Sequence, residues 1–108
     1  MLDAMNAQAQ LRMMVLAVLE RQPEHGYAIA QAIKTRSGGV LLAREGTLYP
    51  LLHGLEAGGQ IESSETAVSG RVRREYRLTE KGLLASRKLR GDWAKQLGAV
   101  NAVLDGKA

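Results

Sequence analysis

The sequence predicts a mainly α fold with a small β component (α+β), and three observations predict it. Three short segments with helical apolar spacing fill roughly residues 4–58. Two short β-compatible segments then flank a glycine turn near residue 70. Finally, an apolar stripe at helical spacing runs through about 26 residues near the C-terminus. The 108 residues are the length of one domain, and a chain this short builds only a thin core.

In the first segment Leu11, Met14, Val15, Val18 and Leu19 recur at three and four, with Met13 and Leu16 widening the stripe. Asp3 is the expected N-cap and Pro23 the stop, giving a helix over 4–21. The second helix is expected over 25–37, with Tyr27, Ile29, Ala30 and Ile33 inward and Ser37-Gly38-Gly39 as its end. Val40-Leu41-Leu42 leads to a third helix over 46–58, built on Leu48, Leu51, Leu52 and Leu55 and closed by Gly58-Gly59. Pro50 lacks an N–H and is tolerated only near a helix start, so Thr47 and Tyr49 belong near the N-terminal end.

The period then changes. Residues 60–66 are β-compatible, 67–70 read as a turn, and Arg71–Leu78 alternate. On the return strand Val72, Arg74, Tyr76 and Leu78 share one face, while Arg71, Arg73, Glu75 and Arg77 share the other. Thr79 caps the last helix, and Glu80 suits its first turn. Along that helix Leu89, Trp93, Leu97, Val100 and Leu104 are spaced four, four, three and four, close to a coiled-coil seam. A domain formed by residues 4–78 is too small to cover a stripe of about 39 Å, so a second copy is the economical cover. The expected division is a helix-and-hairpin unit over 1–78 and a dimerisation helix over 79–108 within one compact domain.

The net charge of +4 is local. Residues 69–90 carry Arg71, Arg73, Arg74, Arg77, Lys81, Arg87, Lys88 and Arg90 against only Glu75 and Glu80. Such a patch suits a polyanion. Without cysteine there is no disulfide framework, thiolate metal site or thiol nucleophile. No phosphate loop, nucleophile elbow or metal-spaced His/carboxylate set occurs, so neither an enzyme, a cofactor nor a metal is expected. The lack of a membrane-length apolar run or signal-peptide layout predicts a soluble, cytoplasmic protein.

Three helices followed by a hairpin form the winged helix-turn-helix arrangement. Its third helix enters the major groove, and its wing touches backbone or minor groove. Arg44, Glu45, Thr47, Tyr49 and His53 supply guanidinium, hydroxyl, phenol and imidazole around the third helix. Arg71, Arg73 and Arg74 supply cations at the wing.

Four blocks carry a family resemblance: His25–Ala30, Gly46–Leu52, Leu55–Ser63 and Gly70–Gly82. Their order and spacing resemble the PadR family of bacterial transcriptional regulators, over about residues 11–105, in its subgroup with a single C-terminal helix. The resemblance implies a homodimeric repressor of an efflux, detoxification or stress gene, bound to a palindromic double-stranded operator. It implies that Thr47, Tyr49 and Pro50 fall in the DNA-reading block and Arg71, Arg73 and Arg74 in the wing. It also implies that Trp93 lies in the dimer interface, where paired tryptophans of multidrug-responsive members hold planar aromatic ligands; a planar aromatic or phenolic effector follows by the same resemblance. Arg44 stands where members often have a capping serine, and Gly54 where an arginine is common.

Plainer roles compete at several positions. Tyr27 and Tyr76 read as core residues, His25 and His53 as surface or capping residues, and Arg87, Lys88 and Arg90 as a solvated helix face. Tyr49 is left between DNA contact and packing under the wing, and Trp93 between interface packing and ligand stacking. A small-molecule sensor and a protein–protein adaptor are the competing functions. The basic run counts against the adaptor.

Overall fold

The computed structural model describes residues 6–106. It contains helices α1 (Ala7–Arg21), α2 (Gly26–Arg36), α3 (Glu45–Ala57) and α4 (Glu80–Leu104), with strands β1 (Glu24–His25), β2 (Ile61–Val68) and β3 (Arg71–Leu78). The predicted α+β class and long final helix are both present.

Helix α1 begins later than expected. Its cap is Asn6, whose side chain accepts from the Ala9 amide at 2.7 Å, in place of Asp3, which lies outside the described residues. The core is aliphatic: Leu11, Val15, Leu16, Val18 and Leu19 of α1 meet Ile29 and Ile33 of α2, Leu48, Leu52 and Leu55 of α3, Ile61 of β2 and Tyr76 of β3. Leu16 is fully enclosed, because α1 is central and touches α2, α4 and β3.

One expectation about side-chain direction is corrected. Tyr27 is 64% exposed. The inward positions of α2 are Gly26, Ile29 and Ile33, spaced three and four. Tyr27 lies one residue, about 100°, away from Gly26 around the helix. Val72 is also exposed, although it shares a strand face with the buried Tyr76. The hairpin outruns the core, so alternation buries only its base.

The sheet has three strands in the order β1-β3-β2, all antiparallel. The hairpin is the predicted wing. The two-residue strand β1 on its other edge was not foreseen, since so short a segment shows no period. The expected four-residue turn is shorter: β2 continues through Val68, and only Ser69 (φ 52°) and Gly70 (φ 78°) connect the strands. Two consecutive positive φ angles match the tight hairpin turn whose twist suits the strands.

One junction joins α3, the wing and α4. The Thr79 hydroxyl donates to the Gly59 carbonyl at 2.6 Å and accepts from the Gly82 amide at 3.1 Å, while the Thr79 amide donates to the Gln60 carbonyl at 3.1 Å. A Cβ at Gly82 would overlap that Gln60 carbonyl and crowd Leu78. Further along, Arg90 pairs with Glu20 of α1. The only buried residues of α4 are Gly82 and Ser86. From Gly91 onward the helix has none: Trp93 and Val100 are half-buried, and Leu97, Val103 and Leu104 are exposed.

Candidate nucleic-acid interface

Helix α3 buries Leu48, Leu52 and Leu55 and turns Gly46, Thr47, Pro50, His53 and Gly54 to solvent. Arg44 is its N-cap but its side chain makes no capping hydrogen bond, so the long guanidinium is left exposed. Pro50 is the sixth helical residue, and its missing N–H deprives the Gly46 carbonyl of its usual partner four residues on. A residue without a side chain sits where the proline ring presses on the preceding turn.

Tyr49 leaves this exposed face. It is half-buried and leans on the start of α2, where a Cβ at Gly26 would come within 2.6 Å of its hydroxyl oxygen and 2.8 Å of its ring. The glycine therefore makes room for the tyrosine. Between α2, α3 and the wing lies an open cleft of about 400 Å³ lined by His25, Gly26, Tyr27, Tyr49, Arg71, Arg73, Arg74 and Tyr76. Three arginines and three tyrosines thus meet around one hollow.

The arginines differ in their ties. Arg74 donates to the Ser63 hydroxyl at 3.0 Å and lies 3.5 Å from Glu65, its cross-strand partner. Ser63 in turn donates to Glu56 of α3 at 2.7 Å, which fixes the hairpin against α3. Arg77 is held by Ser64 at 3.1 Å and Glu62 at 3.8 Å. Arg73 reaches His25 at 3.1 Å. Arg71, beside the turn, makes no ion pair among the described residues and is exposed. Burial pushes the Tyr76 phenol above its ordinary 10.0, Arg74 pulls the other way, and Glu56 and Tyr49 add to the rise. Tyr76 is thereby a neutral floor to a cationic cleft.

The structure brings Tyr49, Arg71, Arg73 and Arg74 together. Thr47 and Pro50 line a separate hollow with Gln8 and Arg12 of α1, and Arg44 and His53 line neither. His25 and Gly26 are cleft residues that the apolar pattern did not assign, and Tyr27 is one that it placed in the core; the signal was a polar-glycine-aromatic triplet at the very start of α2. The His25 ring stands at the start of α2, its Nδ1 3.4 Å from the Ala28 amide. On α4, Leu89 packs on the core, whereas Trp93, Leu97 and Val100 lie on the stretch without a buried residue. Among the described residues no group of His, Cys, Asp or Glu is arranged to hold a metal ion, and no helix is long and apolar enough to cross a membrane.

Comparisons with known proteins agree with this architecture. The profile described as "Transcriptional regulator PadR-like family" matches residues 15–88. The chain is 55% identical over 40 residues to "Transcriptional regulator Rv3488" of Mycobacterium tuberculosis, a stretch of 37% of each chain. Among solved structures, it is similar to smu.1704 of Streptococcus mutans (TM-score 0.83, 27% identity, 95% of this chain and 92% of that one). It is also similar to a PadR family transcription regulator of Clostridium difficile (TM-score 0.74, 27% identity, 87% and 97%).

Proposed function

This chain belongs to the PadR-like family of transcriptional regulators, and from that premise we propose that it is a repressor that binds a palindromic promoter operator as a homodimer. The observation that carries the reading is the cleft where Tyr49 of α3, the start of α2 and the wing arginines converge. One duplex laid across that side meets a reading helix, helix-start amides and cations together. Residues 1–78 serve as the DNA-binding unit and 79–108 as the dimerisation helix. Thr47, Pro50 and His53 face bases or their flanking phosphates, Tyr49 meets the duplex from the cleft beside them, and Arg44, Arg71, Arg73 and Arg74 face the backbone. The protein works in the cytoplasm, without catalysis.

Dimerisation is supported by the apolar stretch of α4 that the chain leaves uncovered. Half-burial of Trp93 on that stretch favours a second element of the reading, an interface that admits a planar aromatic or phenolic inducer. An inducer that prefers one dimer geometry would change the separation of the two reading helices and release the operator.

The test is fluorescence anisotropy with the protein's own promoter fragment over a range of salt concentrations. Arg71→Ala with Arg73→Ala removes up to four phosphate contacts per dimer, flattening the plot of log affinity against log salt by about 3–4 at ~0.9 per phosphate. Thr47→Ala instead relaxes base preference by ~1–3 kcal/mol at particular positions and leaves the slope unchanged. A double arginine variant with the parent's slope takes the wing out of the interface.

A further inference from the structure

His25 occupies two roles whose chemistry conflicts. Its backbone ends β1, opposite Glu75 of β3, which fixes the base of the side chain on the sheet. Arg73, two residues before Glu75, is its diagonal neighbour on the same face. The ring then has a donor at each nitrogen: the Ala28 amide stands 3.4 Å from Nδ1, and an Arg73 guanidinium nitrogen stands 3.1 Å from Nε2. A neutral imidazole has one lone-pair nitrogen, while the other carries hydrogen. Nδ1 can accept from Ala28 only when Nε2–H faces the guanidinium donors. Nε2 can accept from Arg73 only when Nδ1–H faces the Ala28 amide. The two hydrogen bonds exclude each other.

We propose that His25 is a positioning residue that exchanges the cap of α2 for a latch on Arg73. In the free protein the latch prevails, because a charge-assisted bond is roughly twice as strong as a neutral one and here it is also the shorter. The ring is then the Nδ1–H tautomer, and Arg73 is held down toward the start of α2. When Arg73 turns to a phosphate, one proton leaves Nδ1 to solvent and one returns from solvent to Nε2. Nδ1 then caps Ala28, and Nε2–H becomes a donor into the cleft. Binding thus frees the wing cation and secures the start of α2 in one step. The release by phosphate rests on the DNA-binding reading; the exclusion and the free-state tautomer do not.

Long-range proton–nitrogen NMR of the imidazoles in the 108-residue chain tests this, in mildly alkaline buffer. Only two histidines contribute, and His53→Gln assigns them. The free protein is expected to show Nε2 of His25 in the lone-pair range and Nδ1 in the N–H range, the less common form of a free imidazole. Arg73→Ala, a change at an exposed position, should interchange the two signals. The Nε2–H form in both proteins overturns the latch. Promoter duplex added to the parent protein should produce the same interchange. An unchanged tautomer in a complex that anisotropy shows to be formed overturns the exchange. A duplex that fails to bind sinks the operator reading and the exchange with it, while the free-protein arm still decides the latch.

Discussion

A methyl group at position 82 has nowhere to go, because the Gln60 carbonyl and a Leu78 methyl already occupy its space. Gly82→Ala should therefore cost about 2–3 kcal/mol in denaturant unfolding, in the range of overpacked sites. A loss below ~0.5 kcal/mol would mean that α4 can slide away from the Gln60 backbone. Tyr76 carries a second expectation at this scale. Its folded-state pKa lies above the unfolded 10.0, so the stability it lends is present below that value and lost as pH rises through the folded one. Alkaline unfolding should weaken the protein above pH 10.0, and Tyr76→Phe should shallow that dependence. Tyr76 was legible from strand alternation, but Tyr27 was not. A tyrosine in the first turn of a helix looks apolar to a periodicity argument, yet it sits off the Gly26-Ile29-Ile33 stripe and bonds its hydroxyl to Gln31 at 3.0 Å. The inward role of Gly26 has no hydrophobic signature at all. Its purpose is visible only once the Tyr49 ring lies across it.

Among the elements, the helices and the hairpin were predictable because each carries its own local chemistry. Thr79 caps α4 as expected, and Gly58 with Gly59 ends α3. Boundaries drifted where two signals competed: Asn6 caps α1 nearer its core stripe than Asp3, and Ser69 accepts a positive φ that a four-residue turn would not require. Strand β1 was invisible because two residues paired across a sheet owe their conformation to the partner strand. Gly54 lies exposed in the middle of α3 with nothing within 4 Å of an added Cβ. Gly54→Ala should raise stability by about 0.5–1 kcal/mol. Gly70→Ala should lower it by about 1 kcal/mol, since its φ of 78° favours a residue without a side chain. Thermal melts of the two variants, shifting in opposite directions, would check both; a destabilised Gly54→Ala would show that its face is covered in solution.

For the molecule as a whole, the order of elements and the local positive charge were readable from the chain, but the cleft was not. It joins residues from three separate blocks, and only the packing of α2 beneath the wing brings them together. The extents of 59 × 29 × 23 Å describe a small body with a protruding rod. If two rods pair through Trp93, Leu97 and Val100, sedimentation should give a dimer at micromolar concentration, and Leu97→Asp should yield a folded single chain. A lone chain in the parent protein would remove the twofold reader. Gly91 lies two residues, or about half a turn, from Trp93 around α4 and faces open space. Gly91→Ala should leave the dimer intact while Trp93→Ala weakens it.

The Thr79 junction has a mechanical corollary. Leu78 ends the wing and Glu80 begins the rod, so a single residue, bonded on both sides to the backbone that follows α3, stands between them. Any turn of the rod therefore bears directly on the base of the hairpin through Thr79, and on α1 through Leu89 and the Arg90–Glu20 pair.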